Sequence, residues 1–149
     1  MTELEPVAQL KQITQGAPLC DERPLFHIDE QGRWFYRQEP LPDKFCRLFA
    51  TILRRQGEDY LLVTPAEKVL VDVADYPFVI HDYESNEDGS FSLMTSIGSQ
   101  LSITGYQAFV VGEETISVGL ASGLSAKLGR ACYYRFIAQY LLHEDEDLG

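Results

Sequence analysis

The chain has 149 residues, 45% of them hydrophobic and 23% charged, with a formal net charge of −11. That length and composition suit a soluble globular fold needing no disulfide or metal staple, and they exclude a disordered chain. So strong an acidic excess sets the surface as a whole against a nucleic-acid backbone or an anionic membrane.

The charge is unevenly placed. Nine of the twelve Lys and Arg residues lie at or before Lys68, and none occurs from Val69 to Ala126. This shift near residue 75 marks a boundary between two small units. The expected division is an N-terminal helix over 1–16, a first α+β domain over 17–77 and a second over 78–149. Cys20, Cys46 and Cys132 are odd in number, widely spaced and free of any C-x-x-C pairing. No apolar signal core opens the chain, and no stretch approaches the ~20 apolar residues of a membrane-spanning helix, so a reducing cytoplasm is the expected location.

In chain order, residues 3–15 read as a short amphipathic helix with Leu4, Val7 and Leu10 inward and Gly16 as its stop. An irregular connector runs to Pro24, and Gly32 leads into a strand built on Trp34, Phe35 and Tyr36. Pro40 and Pro42 open a helix in which Phe45, Leu48, Phe49, Ile52 and Leu53 share one broad side. Lys44, Arg47, Thr51, Arg54 and Arg55 fall on the remainder. So wide an apolar arc implies a curved sheet that encloses most of the helix and leaves one basic stripe at its edge.

A turn at 56–59 precedes a strand from Tyr60 to Val63, closed by Pro65. Val69, Val71 and Val73 then alternate with Lys68, Leu70 and Asp72, the period of a half-buried strand. Five further β segments, 78–84, 90–95, 100–104, 106–111 and 115–120, read as an antiparallel meander separated by Gly, Asn and Asp. A final helix is expected over 125–143, apolar nearly all round through Leu128, Cys132, Tyr134, Phe136, Ile137 and Tyr140, and therefore enclosed. The acidic residues 144–147 then sit where the helix dipole disfavours them. The approaches to the two main helices, 40–45 and 123–128, share a pattern, so a duplicated unit is expected with Lys44 and Lys127 at equivalent helix starts.

Signatures of chemistry are few. Residues 84–90 carry oxygen ligands at alternate positions as a calcium loop does, but Thr95 stands where the bidentate Glu belongs, and a hairpin turn on Asp88-Gly89 is expected instead. His27, His81 and His143 have no zinc spacing, Ser122 is misplaced for a nucleophile elbow, and neither glycine-rich phosphate motif occurs. No metal or cofactor is expected. Catalysis is disfavoured, since Glu67 beside Lys68 is the sole candidate acid–base pair and such a pair at a strand start is more often a solvated edge. What remains is anion binding, with Lys44 and Arg47 on one helix start and Lys127 and Arg130 on the other.

The segments Gly32-Arg33-Trp34-Phe35-Tyr36, Arg47-Leu48-Phe49-Ala50-Thr51-Ile52-Leu53-Arg54-Arg55 and Tyr60-Leu61-Leu62-Val63-Thr64-Pro65-Ala66-Glu67-Lys68 closely resemble a bacterial family catalogued as domain of unknown function twelve-eighty-five. The resemblance continues through Val71-Asp72-Val73-Ala74-Asp75-Tyr76-Pro77-Phe78 and Gly123-Leu124-Ser125-Ala126-Lys127-Leu128-Gly129-Arg130, covering most of residues 30–140. It implies an α+β fold of two small related domains, each an antiparallel sheet wrapped around one helix, the second loosely like a pleckstrin-homology fold. It also implies a nucleotide-like ligand between the domains and a role in signalling.

The expected function is therefore regulatory, non-catalytic binding of a phosphate-bearing small molecule in the inter-domain cleft. Lys44, Arg47, Lys127 and Arg130 hold the anion, Trp34 or Tyr36 stacks the ring, and Glu67 with Lys68 orients polar groups. The alternative is an interaction module whose basic stripe docks on an acidic segment of a protein partner, with no small-molecule ligand.

Overall fold

The structure, a computed structural model, describes residues 24–142. The expected N-terminal helix and the acidic segment at 144–147 lie outside the described residues. Two six-stranded sheets make up most of the fold. The first takes β1 (Phe26–Ile28), β2 (Trp34–Tyr36), β3 (Glu39–Pro40), β4 (Leu53–Gln56), β5 (Asp59–Val63) and β6 (Lys68–Val73), in the order β3-β2-β1-β6-β5-β4. The second takes β7 (Phe78–Ser85), β8 (Phe91–Thr95), β9 (Gln100–Ile103), β10 (Phe109–Val111), β11 (Ile116–Gly119) and β12 (Ser125–Leu128), in the order β10-β11-β12-β7-β8-β9. The chain passes from one sheet to the other through residues 74–77.

Both sheets follow one plan: two three-stranded meanders whose outermost members in sequence meet at the centre. β1 lies parallel to β6 with Phe26 opposite Val71, and β7 lies parallel to β12 with Phe78 opposite Ala126. The sheets are accordingly mixed, each with one parallel pair among antiparallel ones. The central strands are the most buried, so Phe26, Ile28, Ile80 and Ala126 are wholly enclosed.

The helices differ from the periodicity reading in a consistent way. Helix α1 is Asp43–Ala50, and Leu53, Arg54 and Arg55 belong to β4. Its end is set by the β4–β5 hairpin, where Leu53 faces Leu62 and both are fully buried. Two buried leucines contribute ~1.5–3 kcal/mol each, against a helix preference of tenths of a kcal/mol per residue. The basic helical stripe is thereby broken: Lys44 and Arg47 stay on α1, while Arg54 and Arg55 move to an edge strand. The second helix, α2, is Arg130–Phe136, continued by a wider π-type turn over Ile137–Leu141. Residues 125–128, expected as its first turn, form a strand instead because Ala126 and Leu128 are needed in the core between β11 and β7. Lys127 thus lies on β12, and its equivalence with Lys44 at a helix start is corrected. The likeness between the two units is in strand order, not in the segments preceding the helices.

Core packing is aromatic in both units. On α1, Phe49 meets Phe26 edge-on at 5.6 Å, and Phe26 lies 4.9 Å from Tyr36. On α2, Phe136 sits 4.7 Å from Phe109 and 6.1 Å from Tyr83. The second sheet is curled like a half-barrel. Its edges β9 and β10 are joined by residues 104–108 alone, a connection spanning at most about 22 Å, whereas a flat six-stranded sheet is about 24 Å across. The curl brings Phe91 of β8 to 5.2 Å from Phe109 of β10. Helix α2 is enclosed on one side only, since Tyr134 is 57% exposed. No helix among the described residues is long and apolar enough to cross a membrane, which says nothing of a β-barrel.

The 84–90 segment closes the β7–β8 hairpin. Gly89 takes φ +91°, Asn86 N–H donates to Ser90 O, and the Asp88 carboxylate accepts from Ser90 N–H and Oγ–H. Those bonds hold Asp88 below the usual carboxylate range.

Candidate functional site: a cleft between the two units

The β1–β2 turn builds one wall of a cleft. Asp29 Oδ1 accepts from the N–H groups of Gln31 and Arg33, and Oδ2 accepts from Arg33 Nε at 2.9 Å. Partial burial opposes ionisation of Asp29, but these bonds outweigh it and the carboxyl lies below its ordinary value. Gly32, at φ +79°, closes the turn and touches the second unit: Ser96 Oγ donates to Gly32 O at 3.0 Å. A Cβ at residue 32 would stand 2.5 Å from Ser96 Oγ. Glu30 and Gln31 are thereby held facing the cleft.

Val79, Ile80 and His81 of β7 form the floor, and the passage from β12 into α2 forms the opposite wall with Lys127, Arg130 and Tyr134. Gly129, whose backbone is extended, separates strand from helix and donates to Ile80 O at 2.9 Å. A Cβ there would meet that carbonyl at 3.1 Å, so a larger residue would require the floor to give by a few tenths of an ångström. Glu114 and Thr115 of the β10–β11 turn complete the rim around about 610 Å³. That is the size of a pocket for one small organic molecule.

The charges inside it are not equivalent. Lys127 Nζ pairs with Asp75 Oδ2 at 2.6 Å and lies 6.0 Å above the Tyr76 ring. Arg130 is exposed, makes no ion pair among the described residues, and holds its guanidinium 6.0 Å from the ring of Tyr134. An incoming anion meets Arg130 directly and has to compete with Asp75 for Lys127, a partly exposed pair worth ~1 kcal/mol or less. Glu30 and Glu114 supply acceptors for hydroxyl or amino groups.

The eight residues expected from the sequence divide accordingly. Lys127 and Arg130 line the cleft; Trp34, Tyr36, Lys44, Arg47, Glu67 and Lys68 do not. Trp34 is 2% exposed, inside the core of the first unit. Lys44 lies 5.2 Å over the Phe45 ring, and Asp43 beside it already places a carboxylate in the first turn of α1. Arg47 crosses to the second unit, donating from Nη1 to Ile97 O at 3.0 Å. Glu67 ends a turn in which buried Thr64 Oγ1 accepts from the N–H groups of Ala66 and Glu67, and Lys68 opens β6 exposed. Trp34 Nε1, Tyr36 Oη and Glu67 Oε2 are buried without a hydrogen-bond partner among the described residues.

Sequence reasoning missed Glu30, Gln31, His81, Glu114 and Tyr134. The spacing of Arg130 and Tyr134, four apart at a helix start, is the signal that points to the last of them. Behind the cleft, Arg135 stacks 4.1 Å over the Tyr83 ring and donates to Tyr83 O and Asp82, while Tyr83 Oη donates to Gln139. These contacts fasten α2 to β7. Cys132, at the back wall, is buried, and that burial pushes its thiol up.

Comparison with known proteins agrees on one family. The family model described as domain of unknown function (DUF1285), N-terminal domain, matches residues 14–76. The crystal structure of a DUF1285 family protein from Shewanella baltica OS155 at 1.40 Å resolution is 38% identical, with a TM-score of 0.71, covering 80% of this chain and 95% of that one. A second, from Silicibacter pomeroyi DSS-3 at 2.50 Å, is 27% identical with a TM-score of 0.66, covering 92% of this chain and 85% of that one. No curated protein matches.

Proposed function

The chain belongs to the DUF1285 family, and from that premise we propose that it is a non-catalytic, cytoplasmic sensor of a phosphate-bearing, nucleotide-like small molecule bound in the cleft between its two units. Arg130 takes the phosphate, Lys127 joins it as Asp75 gives way, and the exposed ring of Tyr134 lies against the base. Glu30 and Glu114 accept from sugar hydroxyls. The observation that carries the reading is a cleft of about 610 Å³ whose walls come from both units and contain a guanidinium that makes no ion pair among the described residues, beside an exposed aromatic ring. A ligand touching both walls changes how the units sit against each other, which is what a regulatory protein passes on.

The test is a thermal-shift screen of nucleoside mono-, di- and triphosphates and cyclic nucleotides on wild type, Arg130→Ala and Lys127→Ala. At a hundredfold excess over Kd a ligand raises the Tm by roughly 5–10 °C. Arg130→Ala is expected to remove most of that shift and raised salt to reduce it. Equal shifts in wild type and both variants, or no shift with any nucleotide, overturns the reading.

A further inference from the structure

The four sheet edges are not alike. β3 ends on Pro40, which offers no N–H; β4 carries Arg54 and Arg55 and has the turn at Ala121–Gly123 against it, where a Cβ on Gly123 would stand 3.2 Å from Arg55 Cβ. β9 borders a groove shared with Thr51 and Arg54 of the first unit. Among the described residues β10 has no such protection: it contains no charge and no proline, and Val110 and Val111 are 61% and 48% exposed.

Its backbone is open as well. Gly112 N–H donates to Thr115 O at 2.8 Å, so the hydrogen-bonded pairs with β11 are Gly112–Thr115 and, by alternation, Val110–Ser117. Val111 N–H and C=O and Phe109 C=O therefore point away from the sheet; Phe109 N–H is taken by Tyr106 O. Glu113 and Glu114 follow immediately, and no Lys or Arg occurs between residues 69 and 126.

We propose that β10 is a docking edge for an extended segment of another protein. The segment adds a strand to the second sheet through the backbone groups of Val111, lays a β-branched side chain against Val110, and brings Lys or Arg to Glu113, which lies outside the cleft lining. A second copy of this chain is the wrong partner on charge, since it would bring the same carboxylates and a further −11 to the contact. This edge does not depend on the cleft being occupied.

The experiment titrates isotope-labelled full-length chain with a short valine–threonine–valine peptide flanked by lysines, and with the same peptide flanked by glutamates, following backbone amides by NMR. The lysine peptide is expected to slow exchange of the Val111 amide about tenfold and shift residues 109–114, less so as salt rises. Val111→Pro removes the outward donor and is expected to abolish the peptide-induced shifts of the neighbouring amides; Val110→Lys, on the exposed face where it displaces no core contact, is expected to weaken binding about tenfold. Four results each overturn the proposal: no protection of Val111 at millimolar peptide, an equal response to the glutamate peptide, shifts confined to the cleft, or a dimer that protects Val111 without peptide.

Discussion

The two units share a strand plan and part company at one connection. In the first, the meanders are joined edge to edge by α1, which crosses the sheet with Phe49 as its anchor; in the second, five residues make the same journey and the sheet curls to let them. The helix that the second unit does not need as a crossover follows its last strand instead. There α2 covers the half-barrel with Phe136 and leaves Arg130 and Tyr134 on the outside. One plan thus yields a unit whose helix is mainly a core element and a unit whose helix is half core, half cleft wall.

The largest effect expected from breaking this comparison is at the two anchors. Phe49→Ala and Phe136→Ala each remove a fully buried ring and should cost about 3–5 kcal/mol. If the units form one core, as their contacts through Gly32, Ile97 and Arg47 imply, urea unfolding stays a single transition in both variants. A biphasic curve in either would mean that the units unfold separately.

Glycines sharpen the same point. Gly32 and Gly57 both have positive φ, so alanine costs ~1 kcal/mol at each from backbone strain. Only at Gly32 would the new Cβ meet the other unit, 2.5 Å from Ser96 Oγ and 3.0 Å from Val79 Cγ2; at Gly57 nothing lies within 4 Å. Gly32→Ala should therefore be the more destabilising by about 1–3 kcal/mol in the same urea assay.

Cys46 makes the first unit sensitive to alkaline pH. Burial, with help from the charge of Asp43, pushes its thiol from the ordinary 9.0 up to about 11. The folded state thus holds a proton that the unfolded chain gives up first. Its contribution is complete below pH 9 and is lost as pH rises towards 11, by about 3 kcal/mol at most and less where solvent screens the thiolate. The urea midpoint should fall across that interval in wild type and less in Cys46→Ala. The smallest effect is at Tyr36, whose hydroxyl is buried and has no partner among the described residues. Tyr36→Phe is expected to be neutral or stabilising by up to about 1 kcal/mol, and a clear loss of stability would show that the oxygen has a partner.

Much of the fold was legible because strand alternation and glycine-marked turns are local. β5 and β6 and the three strands β7, β8 and β9 stand close to where the pattern puts them. Helix ends were not legible. Ile52-Leu53 continues the apolar face of α1 and also begins a β-hairpin, and the choice is made by Leu62, nine residues away from Leu53. Ala126 and Leu128 likewise fit a helix or a strand until β7 and β11 stand on either side. The same non-locality divides the candidate site. Arg130 and Lys127 were readable as cations near a turn, whereas Glu30 and Glu114 join them only through the stacking of two units and a curled sheet.

The central claim is that the cleft, and not the start of α1, holds the ligand. A crystal structure of the chain soaked with whichever nucleotide stabilises it most tests this directly. The account predicts phosphate density within hydrogen-bond reach of the Arg130 guanidinium, with Lys127 turned away from Asp75. Phosphate beside Lys44 and Arg47, with the cleft unchanged, would contradict it.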